Sequence, residues 1–441
     1  MTTTINATTQ SPTDKTAADA VIVVSCDSHI GPRMVEDLRP YCPSKYLERY
    51  DAWVAAQKSA TLSHTGSAQG FGNQPEDQST ETAAISHSRR ILNQHTPGHY
   101  DVNARLQDMN REGVAAEVIF HGSQNQESMP FVGLRDAAKA YADQELELVG
   151  VGYQMYNRWM ADFVSVAPER LVGLAYLPIW DVDAAVKELE WANEAGLRGV
   201  NFPAPRAGIA EYDDRSWEPL WCACEERNVF LSSHVGVPVT PTKGPQGTAL
   251  VQLEMAGWPS RRGMLRMIFG GVFARHPDLS LILAEQLRGW WTSSKREFDF
   301  AYGTPNQAFR NQVPKKPSEY LTSNVFLGAS FAGPAAIEEA VQEDYVANVI
   351  WGTDYPHGEG TYKFPERDDE LSMTRQYMRW TFANYPVEVI RDILGENGIR
   401  AYGLDRNTLA DVAAKIGPSI DEVTTPLDVF PEGWHGDHFG Q

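Results

Sequence analysis

A small set of metal-binding side chains stands at the ends of apolar segments that lie far apart in the sequence. Asp27 and His29 follow an apolar run at 21–24, His234 ends the segment VFLSSH, and Asp354 ends the segment VIWGTD. Imidazole and carboxylate groups together suit Zn²⁺, Mn²⁺ or Fe²⁺. Structural alternatives exist, since His234 could be a core histidine bonded to a backbone carbonyl and Asp354 could cap a turn. Their equivalent positions favour a mononuclear metal site.

Eight short apolar segments are predicted to be the strands that position these side chains. They cover residues 21–27, 115–122, 171–178, 196–203, 229–236, 279–286, 324–330 and 348–354. Continuous apolar runs are expected where helices cover a parallel sheet. The intervening segments have helical spacing; for example, Asp181 is a possible cap and Gly196 a possible stop of one helix. Eight such units predict an α/β fold, a closed (β/α)₈ TIM barrel.

An open doubly wound sheet is the alternative fold, but no G-x-G-x-x-G motif follows the first strand. In a closed parallel barrel the carboxyl ends of the strands meet on one face, where such enzymes build their sites. Alternation along the first strand would direct Asp27 and His29 to the same side. The barrel therefore predicts that the four metal-binding side chains converge.

The composition excludes some classes of partner. With 38 Lys and Arg against 58 Asp and Glu, the 441-residue chain has a formal net charge of −20. This charge argues against nucleic acid or an anionic membrane as a partner, and no apolar run approaches the length of a bilayer span. The N-terminus lacks the pattern of a secretory signal, and the four cysteines show no C-x-x-C pair. The cytoplasm is the expected location.

The predicted domain organisation is simple. Residues 1–18 are interpreted as a flexible arm, 19–405 as one metal-dependent barrel domain, and 406–441 as a C-terminal extension with an aromatic end. A long insertion at about 30–100 interrupts the barrel after its first strand, and its place on the active face favours a lid, with a disordered excursion as the alternative. The aromatic tail and the family resemblance described next favour a homodimer or larger homo-oligomer.

Several motifs, in order along the chain, resemble the amidohydrolase superfamily. They are Asp27-Ser28-His29, SHVG at 233–236, FGGVFARHPDL at 269–279, GTDYP at 352–356, ILGEN at 393–397 and YGL at 402–404. The chain is most similar to the branch that contains aminocarboxymuconate-semialdehyde decarboxylase and related decarboxylases and hydrolases. The resemblance runs from about residue 21 to 405, and it implies a (β/α)₈ barrel with one catalytic divalent metal ion.

The resemblance also implies roles for individual residues. The implied metal ligands are Asp27, His29, His234 and Asp354, and Asp354 would also hold, or accept a proton from, a metal-bound water. Zn²⁺ is the expected ion, with Mn²⁺ or Fe²⁺ as alternatives. The decarboxylases of the branch commonly have a catalytic histidine at the end of the sixth strand, where this chain has Glu285. Glu285 is predicted to be a fifth ligand or a general acid/base, or else a carboxylate paired with a nearby cation.

Further candidates lie near the predicted strand ends. His121 is a possible proton donor or substrate contact. The side chains predicted to bind substrate are Arg89, Arg105, Arg206, His357, Trp180 and Trp290. Guanidinium groups can clamp a substrate carboxylate with two hydrogen bonds, and indole rings could form a wall against an aromatic substrate. A solvated arginine or a packed tryptophan is the alternative in each case.

The sequence therefore predicts a mononuclear metal-dependent hydrolase acting on a small carboxylated or aromatic compound. Metal-activated water would attack a carbonyl carbon, with Asp354 taking the proton and Glu285 or His121 protonating the leaving group. The bond could be C–C, amide or ester. The alternative on the same site is a non-oxidative decarboxylase or hydratase, and a barrel that only binds ligand or partner is a third hypothesis.

Overall fold

The computed structural model describes residues 19–62, 88–132, 141–205, 207–234, 258–286, 288–303, 307–330, 332–367 and 369–428. Within these ranges nine short strands form one parallel sheet. They are β1 Val24–Ser25, β2 His29–Ile30, β3 Ala116–His121, β4 Leu171–Ala175, β5 Gly199–Asn201, β6 Phe230–Ser233, β7 Leu281–Leu283, β8 Val325–Ala329 and β9 Val349–Trp351. Each lies within a predicted segment except β2, which begins two residues after the end of the first one.

The strands are neighbours in chain order, from β3 beside β1 and β2 to β8 beside β9. The first predicted strand is divided in two, because Val24 pairs with Ala116 in β3 and His29 pairs with Phe120 four residues later. Backbone hydrogen bonds join the two ends of the sheet. The amide of Cys26 donates to Trp351 O, and a parallel bridge joins Ser28 to Tyr355. The sheet is thus a closed barrel, which confirms the predicted fold.

Helices surround this barrel and alternate with its strands. They are α1 Leu47–Leu62, α2 Val102–Glu112, α3 Leu146–Val164, α4 Val182–Glu194, α5 Glu218–Glu226, α6 Trp258–Phe269, α7 Val272–Arg275, α8 Trp291–Tyr302, α9 Gln307–Gln312, α10 Pro317–Asn324, α11 Pro334–Gln342, α12 Met373–Phe382, α13 Val387–Arg391, α14 Asn397–Tyr402, α15 Arg406–Ile416 and α16 Ile420–Thr424. Residues 88–93 are also helical. Single turns of 3₁₀ or π type cover Met34–Leu38, Arg39–Tyr41, Ser44–Tyr46, Pro97–His99, Tyr141–Asp143, Arg215–Trp217, Val346–Asn348 and Asp392–Glu396.

Local sequence sets the ends of these helices. The Asp181 carboxylate accepts from the amide of Ala184 at the start of α4, as its position in the sequence predicts. In α2 the Asp101 carboxylate caps the first turn, and Gly113 ends the helix with a left-handed φ of 82°. The two aspartates fix where the chain enters α4 and α2, and Gly113 fixes where it leaves α2 for the sheet.

Alternate strand residues divide the core into two layers. Side chains at the even strand positions Val118, Val172, Ile282, Phe326 and Ile350 pack together inside the barrel. Their neighbours in sequence pack outward against the helices in a second, larger cluster. This alternation separates a core inside the barrel from a core between the barrel and its helices.

The opposite end of the barrel is closed by the last helices. Leu409 and Ala413 of α15 join the interior cluster, and the Tyr402 ring lies 4.8 Å from Phe230. The amide of Val21 donates to Pro418 O over 2.8 Å. Residues 406–416 of the predicted extension therefore pack as part of the barrel's floor.

Part of the long insertion is packed rather than open. Tyr50 and Val54 of α1 contact Phe131 and the α3 residues Leu148 and Met155 in a third buried cluster. The middle of the insertion, residues 63–87, lies outside the described residues, as do the arm 1–18 and the aromatic end 429–441. The predicted flexible arm, the aromatic end of the predicted extension and the middle of the predicted lid fall on those residues. In the described part of the chain no helix combines the length and apolarity that crossing a membrane requires.

Candidate metal centre

The closing seam of the barrel brings two of the predicted ligands together. The amide of Asp354 donates to Asp27 O over 3.0 Å, which joins the end of the last strand to the end of the first. Ser25 and Thr353 support this junction, with their hydroxyl oxygens 3.1 Å apart. Residues 327 positions apart in sequence are therefore backbone neighbours. Both carboxylates are fully buried.

Four side chains converge at this mouth, as the sequence predicts. His29 Nε2 lies 3.3 Å from Asp27 Oδ1 and 3.2 Å from Asp354 Oδ1. His234 Nε2, from the end of β6, lies 3.6 Å from Asp27 Oδ1. We call Asp27, His29, His234 and Asp354 the ligand cluster. Its rings stand on Phe120, whose centroid is 5.9 Å from that of His29 and 5.0 Å from that of His234.

The donor atoms of the ligand cluster suit a divalent cation. Ser330 donates to Asp27 Oδ2 over 2.6 Å, while no well-formed hydrogen bond from the described residues reaches Asp27 Oδ1, His29 Nε2 or Asp354 Oδ1. His29 Nδ1 lies 3.4 Å from His121 O, which leaves the lone pair on Nε2. Buried polar atoms without partners are costly, and a shared cation would satisfy all of them. The residues present therefore fit the expected metal ion.

Electrostatics within the ligand cluster follow from burial and close charges. Burial opposes ionisation of Asp27, but the close imidazoles of His234 and His29 hold its pKa well below the usual range. Burial also opposes protonation of His234, yet Glu285 and Asp27 raise the pKa of this imidazole to about 9. A divalent cation at this position would take the place of the proton on His234 and neutralise the carboxylates.

Glu285 stands beside the ligand cluster at the end of β7. Its Oε2 lies 3.6 Å from His234 Nε2, and it groups with Asp27 and Asp354 as a possible ligand. Burial and the charges of Asp354 and Asp27 raise its pKa to about 8, although His234 opposes this. Glu285 and Asp354 both have left-handed backbones, with φ of 52° and 51°. Such a conformation costs about 1–3 kcal/mol in a non-glycine residue and is concentrated at functional sites.

His357, predicted to bind substrate, contacts two members of the ligand cluster. Its ring stacks on His29 with centroids 3.9 Å apart, and its Nδ1 lies 2.8 Å from Asp354 Oδ1. Its Nε2 lies 2.7 Å from Gly122 O. Burial opposes protonation, but Asp354 raises the pKa of His357 to about 10. His357 is placed to hold the Asp354 carboxylate in position.

His121 has a different environment from the ligand cluster. Its side chain points to the outer side of β3, where its ring lies 5.5 Å from Tyr156 of α3. Burial lowers its pKa to about 3, so this imidazole is neutral at physiological pH. The structure does not bring His121 among the converging side chains, although its carbonyl oxygen lies near His29.

The predicted arginine clamps have partners in the framework. Arg105 is fully buried: it donates to His29 O and Ser28 Oγ over 2.8 Å each, and it pairs with Glu117. It braces the strand that carries the ligands, which argues against contact with substrate. Arg89 is buried and donates to Gly360 O over 2.7 Å, and Arg206 lies outside the described residues.

The two predicted tryptophans differ in their surroundings. Trp180 packs against Tyr141 and Tyr153, with ring centroids 5.3 and 5.9 Å away, so it is part of an aromatic cluster beside α3. Trp290 is buried next to Trp291, and the guanidinium carbon of Arg261 lies 4.7 Å above its ring. Trp290 follows Glu285 by five residues and is the better candidate for a site wall.

Sequence reasoning missed Ser330. Ser330 ends the predicted seventh strand in the position that the ligand-bearing residues occupy in other strands, and this signal could have identified it. Gly352 is also required there, because a Cβ atom at this position would lie 2.9 Å from Ser330 Oγ and 3.1 Å from Asp27 Cβ.

Known proteins resemble this chain in sequence and in fold. It is 25% identical over 321 residues to a 2-amino-3-carboxymuconate-6-semialdehyde decarboxylase from Dictyostelium discoideum, covering 70% of this chain and 78% of the relative. The crystal structure of 5-carboxyvanillate decarboxylase from Sphingomonas paucimobilis covers 88% of this chain and 100% of its own, with 19% identity and a TM-score of 0.56.

A second solved structure shows the same fold with a metal ion. It is 5-carboxyvanillate decarboxylase from Novosphingobium aromaticivorans, complexed with manganese and 4-hydroxy-3-methoxy-5-nitrobenzoic acid. The match has 16% identity and a TM-score of 0.59, and it covers 89% of this chain and 98% of the other. The profile of the amidohydrolase family matches residues 121–404, well over half of the sequence. With its barrel and its strand-end histidines and carboxylates, this chain belongs to the amidohydrolase family.

Proposed function

We propose that this protein is a metal-dependent, non-oxidative decarboxylase of a small aromatic or enoic carboxylic acid. The observation that carries the proposal is the convergence of the ligand cluster and Glu285 at one barrel mouth, in a family whose relatives named above are decarboxylases. The relatives favour this alternative over the hydrolase that the sequence predicts.

The surroundings of Asp354 also favour decarboxylation. Hydrolysis would require a carboxylate that is free to accept the proton of an attacking water. Asp354 Oδ1 instead lies within 3.2 Å of His29 Nε2 and 2.8 Å of His357 Nδ1. An oxygen this close to two imidazole nitrogens is less free to accept a proton from water, which supports a role for Asp354 as a ligand.

Asp27, His29, His234 and Asp354 would hold the divalent cation, which as a Lewis acid would neutralise charge on the substrate's oxygens. Mn²⁺ is our proposal for the ion, since a solved relative contains manganese and two carboxylates favour a harder cation than Zn²⁺. Metal analysis of protein supplied with both ions would distinguish them.

Glu285 is the proposed proton donor. In decarboxylation the bond between the substrate carbon and its carboxylate breaks, carbon dioxide leaves, and the electron pair stays on the carbon. That carbon must then receive a proton. Glu285 lies at the end of the sixth predicted strand and beside the ligand cluster. Burial favours the neutral form of its carboxyl group, which carries the proton.

The test is release of carbon dioxide from a panel of acids by the Mn²⁺-loaded full chain. The panel contains 5-carboxyvanillate, the acid in the names of the two solved structures above, together with 2,6-dihydroxybenzoate and enoic acids. Matched esters and amides of the same acids report hydrolysis. If the reaction is run in D₂O, release of carbon dioxide together with one deuterium in the product supports the proposal. Cleavage of the esters or amides alone would restore the hydrolase.

A further inference from the structure

A buried asparagine of the long insertion binds the loop at 353–364, which follows the last strand of the barrel. Asn93 is almost fully buried. Its Nδ2 donates to Pro356 O over 2.9 Å and to Tyr362 O over 3.1 Å. Its Oδ1 accepts from the amide of Phe364 over 2.9 Å. Both N–H groups and the carbonyl oxygen of this side chain are therefore used on one loop.

The bonds from Asn93 join the two arms of this loop. One arm carries Asp354, and the other returns beside it. The amide of Thr361 donates to Thr353 O over 2.9 Å. A Cβ atom on Gly360 would lie 2.7 Å from Asp354 O, so the returning arm touches the backbone of that residue. Because Asn93 bonds to a carbonyl oxygen on each arm, it fixes one arm relative to the other.

The same loop carries two side chains of the metal centre. Asp354 is a proposed ligand, and His357 Nδ1 lies 2.8 Å from its Oδ1. The amide of His357 also donates to Asp354 O over 2.8 Å. Asp354 has a left-handed backbone, and such a conformation persists only where the surrounding structure holds it. The bond from Asn93 to Pro356 O acts two residues away from this strained position.

Asn93 is itself anchored to the strand that bears His29. His99 Nε2 lies 3.1 Å from Asn93 O, and the amide of Gly31 donates to His99 O over 2.9 Å. Gly31 follows His29 by two residues. The end of the insertion therefore connects the first ligand-bearing strand to the loop after the last strand.

We propose that Asn93 is a positioning residue for the metal centre, because it holds the loop at 353–364 so that Asp354 reaches the cation of the ligand cluster. Part of the insertion is then a component of the site. The inference rests on the proposed function in that it takes Asp354 to be a metal ligand. It does not depend on which bond of the substrate is broken.

The experiment measures the affinity of the metal-free full chain for Mn²⁺ by isothermal titration calorimetry. Asn93→Asp keeps the size of the side chain and the acceptor for Phe364 but loses both donors, and Asn93→Ala removes the whole group. The matched control is Asn324→Ala. Asn324 is also buried, and its Nδ2 donates to Pro277 O and Leu279 O over 2.9 Å each. It precedes β8, at the end of the barrel opposite the metal centre.

In both Asn93 variants the dissociation constant for Mn²⁺ should rise by about 10- to 100-fold, as is typical when a group that orients metal ligands is removed. The electron paramagnetic resonance spectrum of bound Mn²⁺ should also change, because it depends on the arrangement of the ligands. Asn324→Ala should lower the melting temperature as Asn93→Ala does. It should leave the Mn²⁺ affinity and the spectrum unchanged.

The inference is overturned if folded Asn93→Ala binds Mn²⁺ as tightly as the wild type, or if Asn324→Ala weakens binding equally. If neither Asn93 variant folds, Arg89→Met decides, because Arg89 lies one turn earlier and donates to Gly360 O of the same loop. Weaker Mn²⁺ binding in Arg89→Met then supports the inference, and unchanged binding overturns it.

The outcomes for the metal centre and for the reaction are separate. A wild type that releases no carbon dioxide, but whose Mn²⁺ affinity depends on Asn93, would refute only the decarboxylase. Release of carbon dioxide by a protein whose Mn²⁺ affinity does not depend on Asn93 would refute only the positioning role.

Discussion

Two groups of histidines and carboxylates in this molecule have similar composition and opposite chemistry. The ligand cluster lies at the mouth of the barrel. The second group, which we call the His276 cluster, consists of Glu218 and Glu225 of α5 with Arg275 and His276 near α7. Each group has histidine nitrogen atoms within 4 Å of two carboxylates. Residue type alone would mark both as candidate metal sites.

In the His276 cluster the side-chain interactions are complete. His276 Nδ1 lies 2.9 Å from Glu225 Oε2, and its Nε2 lies 3.0 Å from Glu218 Oε1. Arg275 donates to both oxygens of Glu218, and the amide of Asp278 donates to Glu225 over 3.0 Å. These bonds tie α5 to the segment that leads into β7. The FGGVFARHPDL motif is therefore a structural clamp in this chain.

The ligand cluster has the same atom types without that completeness. Its facing atoms are Asp27 Oδ1, His29 Nε2 and Asp354 Oδ1, which have no well-formed hydrogen bonds. An arrangement of this kind lowers stability, and it persists where function requires it. Unsatisfied donor atoms that face one another, rather than composition, distinguish a binding site from a structural cluster.

The largest expected effect comes from removing a proposed ligand. In Asp354→Asn, turnover should fall by at least about 10³-fold, because roughly 4 kcal/mol of transition-state stabilisation depends on the metal site. Metal content, measured by elemental mass spectrometry, should fall with it, while the melting temperature of the metal-free protein should not decrease. A variant with full metal content and normal turnover would remove Asp354 from the site.

Glu285→Gln should separate metal binding from proton transfer. The amide keeps the size of the side chain but has no acidic proton, so we expect turnover to fall by about 10²–10³-fold. Metal content should stay at the wild-type level, because the ligand cluster is intact. If the metal is lost as well, Glu285 is a ligand rather than a proton donor.

His276→Ala should have the opposite result to Asp354→Asn. Removing the imidazole leaves Glu218 and Glu225 without one partner each, which should lower the free energy of unfolding by about 1–3 kcal/mol. Denaturant titration measures this loss, and metal content per folded chain should be unchanged. Loss of metal in this variant would mean that the two clusters do not have separate roles.

The smallest expected effect is a pH dependence of the His276 cluster. Hydrogen bonds from Arg275 hold the pKa of Glu218 below its ordinary value of 4.5, although burial opposes this. The stabilisation is therefore present above pH 4.5 and is lost as pH falls through the lower, folded pKa. Since Glu218 is partly exposed, we expect less than about 1 kcal/mol. Unfolding of Arg275→Met should depend less on pH between 5 and 3, and equal slopes would contradict the assignment.

The sequence was sufficient to predict the barrel and the convergence of Asp27, His29, His234 and Asp354. Both follow from short apolar runs and from the rule that parallel strands end on one face. The observed strands are shorter than predicted because hydrogen-bonded pairing ends before the apolar run does, as at Val349–Trp351 within 348–354. The position of each strand can be read from the local sequence, because it depends on the apolar run itself and on the order of such runs along the chain.

Side chains on helices could not be assigned in the same way. Arg105 and Arg261 are both arginines near the first turn of a helix, yet one pairs with Glu117 and the other lies over Trp290. Their partners come from distant strands and loops, so local sequence does not distinguish them. The roles of His121 and Trp180 could not be read from local sequence either, because their rings pack against residues of α3.

The closing seam has a consequence for how the protein acquires its metal during synthesis. Two of the proposed ligands follow the first strand and one follows the last, and Asp27 and Asp354 become neighbours only when Asp354 N bonds to Asp27 O. A ribosome-bound chain that ends before residue 354 contains His29 and His234 but no complete set of donors. If the proposed ligands hold the ion, an unfinished chain would lack Asp354 and with it one of the four donors, so metal loading would report that the last strand has been made and inserted.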